Sequence, residues 1–289
     1  MTLAETRRES CLNAGRALMR FDIPLLASLL CVLAAAGRAA GATGPHGTVD
    51  LIAEPASVRP GRPFSVGLLF RLEPGWHIYW INPGDSGEPP RVKWSLPAGF
   101  AAGPIEWPLP HRIEDHSLVD YGFQDQVLLP VEITPPAGLG KGAGVQLNAT
   151  VNWLVCRDIC VPGRAALALT LPTGNGKPGQ TSHSLFVQAR AELPRPAPPS
   201  WKVIARLDKQ AFVLNVDTGK KEAGATFFPL TPNQIENAAP QKVSPSARGV
   251  RVEMAKSDQL LKPPAHLAGV LVLASGLGYR IEAPVIASP

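Results

Sequence analysis

One stretch constrains this chain more than any other: VQLNATVNWLVCRDICVPGRAALALTL, residues 145–171. Val145, Leu147, Ala149, Val151, Trp153 and Val155 occupy alternate positions, with Gln146, Asn148, Thr150, Asn152, Leu154 and Cys156 between them. A period of two marks a strand with one buried face. The pattern breaks over Arg157, Asp158 and Ile159, and a second apolar run follows Cys160. This predicts an antiparallel hairpin with Cys156 and Cys160 opposed across it. Opposed residues lie about 4.5–5.5 Å apart at Cα, a separation that a disulfide accepts. The loop lacks the Gly favoured in such turns, which leaves its type open. Regular alternation puts Cys156 on the polar face, where a buried structural cysteine is not expected.

The same period recurs in TVDLIAE, FSVGLLFRL, GWHIYWI, RVKWSL and QVLLPVEIT. Each run is short and bounded by turn residues drawn from 31 Pro and 27 Gly. Short alternating runs between turn signals predict an all-β sandwich. Only HSLFVQARAEL (183–193) has helical spacing, with Leu185, Phe186, Ala189 and Leu193 on one side. The Pro-rich PRPAPPS (194–200) reads as an extended, stiff linker. The expected order is therefore a β-sandwich over 43–193, the linker, and a smaller β domain over 201–289. Trp76, Trp80, Trp94 and Trp107 cluster in one segment and read chiefly as core packing.

The N-terminus sets the redox context. Arg16 and Arg20 precede the apolar run IPLLASLLCVLAAA, and small residues follow at Ala40 and Ala42. This is the order of a secretory signal peptide, 1–42, with Met19 an alternative start. The run is shorter than the roughly 20 residues a spanning helix needs, so no membrane span is expected after cleavage. Cleavage removes Cys31 and Cys11, leaving Cys156 and Cys160 as the pair. It also removes five of 28 basic and three of 23 acidic residues, leaving 23 against 20 and a net charge of +3. Neither that charge nor any basic cluster suggests nucleic acid. Outside the cytosol a disulfide between the remaining cysteines persists.

Three chemistries are open to the pair. As a structural staple it closes a ring of about five residues, worth about 2 kcal/mol in chain entropy against about 4.7 for a 100-residue loop. As a metal clip it needs further ligands, and no His lies at the usual spacing. As a redox pair, a short solvent-facing ring suits exchange. No hydrolase, P-loop or dinucleotide signature occurs, so no small-molecule cofactor is expected.

Three segments in order, GWHIYWINPGDSGEPPRVKW, PHRIEDHSLVDYGFQDQVLLPVEI and VNWLVCRDICVPG, resemble the N-terminal periplasmic domain of the DsbD family. The likeness is nearest to the suppressor-of-copper-sensitivity branch and is good over roughly 45–172. It implies an immunoglobulin-like sandwich whose cysteines relay reducing equivalents. The implied donor is a thioredoxin-like domain or a DsbD-type membrane carrier. The implied acceptor is a periplasmic disulfide isomerase or similar thiol protein. Carried onto this sequence, the catalytic pair is Cys156 and Cys160, with Cys160 forming the mixed disulfide and Cys156 resolving it. The family's shielding loop maps to EDHSLVDYGF (114–123), making Asp115, Asp120, Tyr121 and Phe123 the candidate cap. The sequence ends at Pro289 without membrane or thioredoxin-like domains, so the donor is expected on another polypeptide.

Arg157 and Asp158 lie inside the ring as opposed modulators of thiol acidity, with Arg164 close by. Glu114, Asp115 and Asp120 are candidate proton carriers; each also reads as ordinary surface charge. Two rivals remain: a non-catalytic β module braced by a hairpin disulfide, and a copper chaperone. The latter is disfavoured by only three Met, two of them in the leader.

Overall fold

The computed structural model describes residues 41–115, 117–140, 142 and 144–287. The expected leader lies almost wholly outside them. Alternation becomes strand wherever the apolar half has a partner to bury against. The first three strands, β1 (Ala42–Gly44), β2 (Gly47–Ala53) and β3 (Phe64–Leu72), form a meander. Next come β4 (His77–Gly84), β5 (Arg91–Ser95) and β6 (Ala101–Ile105). A hairpin of β7 (His111–Asp115) and β8 (Leu118–Gln124) leads into β9 (Gln126–Thr134). The long strands β10 (Gly144–Cys156) and β11 (Cys160–Pro172) end this half.

These strands make two sheets, in the orders β1-β2-β3-β9-β6 and β11-β10-β4-β8-β7, with β5 beside β10. They pack face to face as an immunoglobulin-like sandwich. Val49, Leu51, Leu68, Phe70, Leu129 and Val131 from one sheet meet Ile78, Trp80, Tyr121, Val151, Trp153 and Leu167 from the other.

The segment 114–123, expected as a covering loop, instead supplies the end of β7 and most of its partner β8, with Arg112 opposite Tyr121 and Glu114 opposite Val119. Val119, Tyr121 and Phe123 alternate, and that period carries them into the core.

Helix α1 (His183–Glu192) lies on the outer face of the first sheet, where Phe186 and Ala189 cover Leu69 and Leu128. Glu54 anchors it, accepting from Arg190 Nη1 at 2.7 Å and contacting His183 Nδ1 at 2.9 Å. The Arg190 hydrogen bond, against the opposing effect of burial, holds the Glu54 carboxyl below its ordinary 4.5.

The Pro-rich stretch then docks rather than spanning open space: β12 (Arg195–Pro196) pairs in parallel with Tyr279 and Arg280. The last strands are β13 (Lys202–Leu207), β14 (Ala211–Asp217), β15 (Ala225–Pro229), β16 (Lys242–Ser246), β17 (Gly249–Ala255), β18 (His266–Leu273) and β19 (Gly278–Ala287). They form a third sheet in the order β15-β18-β19-β13-β14-β17-β16. Its own core includes Phe212, Leu214, Phe227, Val252 and Leu271. Phe228 and Val270 point the other way and join the sandwich core. The Phe228 ring meets Tyr121 edge-on at 5.1 Å and Trp80 at 6.3 Å between centroids.

Phe228→Ala should therefore lower stability by about 3–5 kcal/mol, read as a reduced denaturation midpoint, because it empties the place that the third sheet fills in the sandwich core. A second expectation concerns pH. A depressed carboxyl pKa stabilises the fold above the unfolded value of 4.5, and that contribution is lost as pH falls through the lower folded value. Amide protection in α1 should drop as pH falls below about 4.5, and Glu54→Gln should abolish most of that dependence.

Candidate functional site

The site is built at the end of the longest hairpin. β10 and β11 pair residue for residue from Gly144 opposite Pro172 to Cys156 opposite Cys160. The Arg157 amide donates to the Ile159 carbonyl at 3.1 Å and closes the turn. The two sulfurs are bonded, with Cα atoms 4.2 Å apart.

The second neighbour of β10 changes along its length. β5 pairs with Asn148 to Asn152, and β4 takes over at the tip, where Cys156 also faces His77. Cys156 is thus flanked on both sides and is only 2% exposed. Cys160, on the outermost strand, is exposed. The expectation that the even-numbered face meets solvent holds for Gln146 and Asn152 and fails at Cys156. The reason is a local second layer over that face.

That layer starts with β4. Ile78 and Trp80 enter the sandwich core, which leaves His77 and Tyr79 on the cysteine side. Both are nonetheless buried. The Tyr79 hydroxyl lies 3.6 Å from Cys160 Sγ and 3.3 Å from Ser86 Oγ. Ser86 donates from its backbone amide to Asp120 Oδ1 and from its hydroxyl to Asp120 Oδ2, each at 2.9 Å. His77 Nε2 stands 3.5 Å from Asp120 Oδ2, without a well-formed hydrogen bond. Residues 84–87 form the lid of this layer. Gly87, at φ 73°, lies so close that a Cβ there would sit 2.0 Å from the Tyr79 ring. Only glycine allows the chain to lie flat on that ring at this backbone angle.

The expected site residues divide. Asp120 is buried within the network beside the pair. Tyr121 and Phe123 are in the sandwich core rather than beside the sulfurs; Tyr79 lies next to Cys160 Sγ, and residues 86 and 87 lie against Tyr79. Burial pushes the Tyr121 phenol well above its usual range, keeping it a hydrogen-bond donor, here to Asn237 Oδ1 at 2.8 Å. The Asp115 side chain lies outside the described residues. Arg157 bonds Asp158 at 2.8 Å and sits 5.1 Å over the Trp76 ring, which itself stacks on His46. Glu114 faces solvent and pairs with Arg112. Arg164 lines an open groove of about 410 Å³ with Glu88, Pro89 and Trp153. Sequence reasoning missed His77, Tyr79, Ser86 and Gly87. The one available signal was parity: Ile78 and Trp80 as core residues imply that His77 and Tyr79 share the opposite face.

Chemically, the arrangement offers one reachable sulfur, one sheltered sulfur and a hydroxyl chain ending on a carboxylate. With the Ser86 proton committed to Asp120, the single Tyr79 phenol proton has two acceptors in reach, Ser86 Oγ and the Cys160 sulfur. Among the described residues, no group of three or more His, Cys, Asp or Glu side chains converges as a metal site.

Residues 49–172 match the family described as thiol:disulfide interchange protein DsbD, N-terminal. The N-terminal periplasmic domain of ScsB from Proteus mirabilis superposes with a TM-score of 0.65 at 17% identity, covering 86% of this chain and 98% of that one. The periplasmic chaperone SfaE (TM-score 0.22, 8% identity, 82% and 100% covered) and the YadV chaperone (0.23, 10%, 81% and 98%) align only loosely. No curated protein matches the chain. Among the described residues no helix is long and apolar enough to cross a membrane. The exposed Cys160, the bonded partner Cys156 and the match over residues 49–172 agree: that segment matches the N-terminal domain of the DsbD thiol:disulfide interchange family, and the chain shares the fold of the ScsB periplasmic domain.

Proposed function

We propose that this protein works in the periplasm as a relay of reducing equivalents through Cys156 and Cys160. The donor is a thioredoxin-like domain or DsbD-type membrane carrier, and the acceptor is a disulfide isomerase or similar thiol protein. The observation that carries this reading is the asymmetry of the pair: Cys160 is exposed at the hairpin tip, and Cys156 is 2% exposed. An incoming thiolate reaches Cys160 Sγ first. Its attack forms a mixed disulfide, breaks the Cys156–Cys160 bond and releases Cys156 as a thiolate that takes up a proton. The donor's second thiol then attacks its own sulfur in that bond and releases the Cys160 thiolate. Two electrons have entered and the donor is oxidised. Run forward on an acceptor disulfide, Cys160 attacks and Cys156 resolves.

The Tyr79 hydroxyl turns its single proton to the Cys160 thiolate as it forms, while Ser86 keeps its own bond to Asp120. Ile159, 65% exposed between the cysteines, offers a partner an apolar contact next to the reacting bond. The exported location rests on the N-terminal pattern and on the likeness to a periplasmic domain.

A second reading, a hairpin staple in a binding module, draws on the burial of Cys156. The reduction potential separates the two, since structural disulfides lie below about −300 mV. Cys156→Ala incubated with periplasmic extract should yield a reductant-sensitive heterocomplex through Cys160. If neither single-cysteine variant captures a partner, the relay reading fails. Tyr79→Phe should slow release of the Cys160 thiolate roughly three- to tenfold in stopped-flow exchange, the effect of losing one hydrogen bond to a charged sulfur, while leaving the fold intact.

A further inference from the structure

Opening the Cys156–Cys160 bond puts an electron pair on a sulfur that has almost no contact with water. Cys156 is 2% exposed, and a thiolate stranded there is costly unless a proton or a positive charge reaches it. The register names what stands beside it. His77 of β4 is the direct partner of Cys156 on one side, and Cys160 of β11 is its partner on the other. Partners in an antiparallel ladder project from the same face, with Cβ atoms about 4.5–5.5 Å apart. His77, Cys156 and Cys160 therefore form one row, running from inside the sheet to its edge. Once the bond opens, a turn about χ1 carries the Cys156 sulfur away from Cys160 and toward the imidazole.

That imidazole is itself buried and incompletely partnered. His77 is 3% exposed, and its Nε2 lies 3.5 Å from Asp120 Oδ2 with no hydrogen bond made. Asp120 is equally buried, and both of its oxygens accept from Ser86. A buried carboxylate needs a cation beside it. Among the described residues, His77 is the basic side chain that pairs with it.

The other titratable and charged groups around His77 are engaged elsewhere or exposed. On its own strand, Tyr79 meets it edge-on at 5.1 Å between ring centroids. β8 presents Asp120 and the uncharged Gln124, which is opposite His77. β7 adds His111, exposed and opposite Gly122. In the hairpin turn, Arg157 is bonded to Asp158 and lies over Trp76. Asp85 is taken up by the Val119 amide and by Asn237.

We propose that His77 is the proton donor to Cys156: standing as an imidazolium against the Asp120 carboxylate, it passes a proton to the Cys156 sulfur as the disulfide opens. An incoming thiolate bonds Cys160 Sγ, and the electron pair of the broken bond goes to Cys156. The proton on the imidazole nitrogen turned from Asp120 then moves to that sulfur. The neutral ring keeps its Nε2 proton toward Asp120, and solvent restores the proton it gave. In the opposite direction His77 takes the Cys156 proton as that thiol attacks the mixed disulfide. Asp120 touches no sulfur and is a positioning residue that orients the ring. This deepens the relay reading, on which its biological purpose rests, but the proton transfer is measurable without any partner protein.

The test reduces the full oxidised chain with dithiothreitol alone, from about pH 5 to about pH 8, with the rate expressed per dithiothreitol thiolate. By that measure the unaltered protein should slow as pH rises and the imidazolium is lost. His77→Gln should be at least about tenfold slower at the acid end and flat across the range, because a general acid is gone. Asp120→Asn should move the step to lower pH without removing it. His46→Gln is the control. Its ring stacks on Trp76 and pairs with neither cysteine, so the slope should persist. One further measurement needs no variant to fold. In the reduced chain the His77 imidazole resonances should shift a second time as Cys156 ionises, a step absent from the oxidised chain.

An undiminished rate or a retained slope in His77→Gln overturns the proposal. So does a His77 resonance blind to the ionisation of Cys156, or a slope lost equally in His46→Gln. If Cys156→Ala traps no protein while the His77-dependent slope stands, the relay reading fails and the proton donor remains. A trapped partner together with a flat rate in the unaltered protein means the reverse.

Discussion

The antiparallel pairing of β10 with β11 is the constraint on which the site depends. Thirteen residues on each strand lock in one register, from Gly144 opposite Pro172 to Cys156 opposite Cys160. A slip by one residue would exchange the buried and outward faces along the whole hairpin. Val145, Leu147, Val151, Trp153 and Val155 would leave the core together, at a cost far above the stability of an ordinary domain. Core packing far from the cysteines therefore decides that the two sulfurs meet.

Placement alone makes a hairpin staple; the surroundings make an exchange site. β11 ends the sheet, so Cys160 stands at an edge with solvent beside it. Cys156 is one strand further in, with His77 on its other flank. That difference of one strand separates the reachable sulfur from the sheltered one. The lid of 84–87 adds a second layer in a region where β4 and β8 are buried on both faces. Strands buried on both faces in an antiparallel sheet imply a covering element, and here it is a short loop rather than a helix. Its contacts run to Asp120 in the sandwich and to Asn237 beyond it.

Several features were legible in the residues. The strand runs, the hairpin at 157–159, the opposition of the cysteines and the helix near 183–193 all follow from local periodicity. The segment 114–123 shows the limit of the family resemblance: its Asp, Tyr and Phe suggested a cap, yet Val119, Tyr121 and Phe123 alternate and are drawn into the core. The Pro-rich 194–200 reads locally as a spacer, but Arg195 and Pro196 find an edge on β19. Local pattern names the conformation of such a stretch and says nothing of what it will lie against.

By itself, then, the amino-acid order determined the periodicities, and through them which residues pair, which face is apolar and that two cysteines close one turn. Tertiary structure decided which sulfur is exposed and what lies beside it. The physical reason is sequence distance. The contacts that build that layer join residues 34 apart, Ser86 with Asp120, and 152 apart, Asp85 with Asn237. Hydrogen bonds of that span leave no period along the chain, because each forms only after independent strands have packed and brought its ends together.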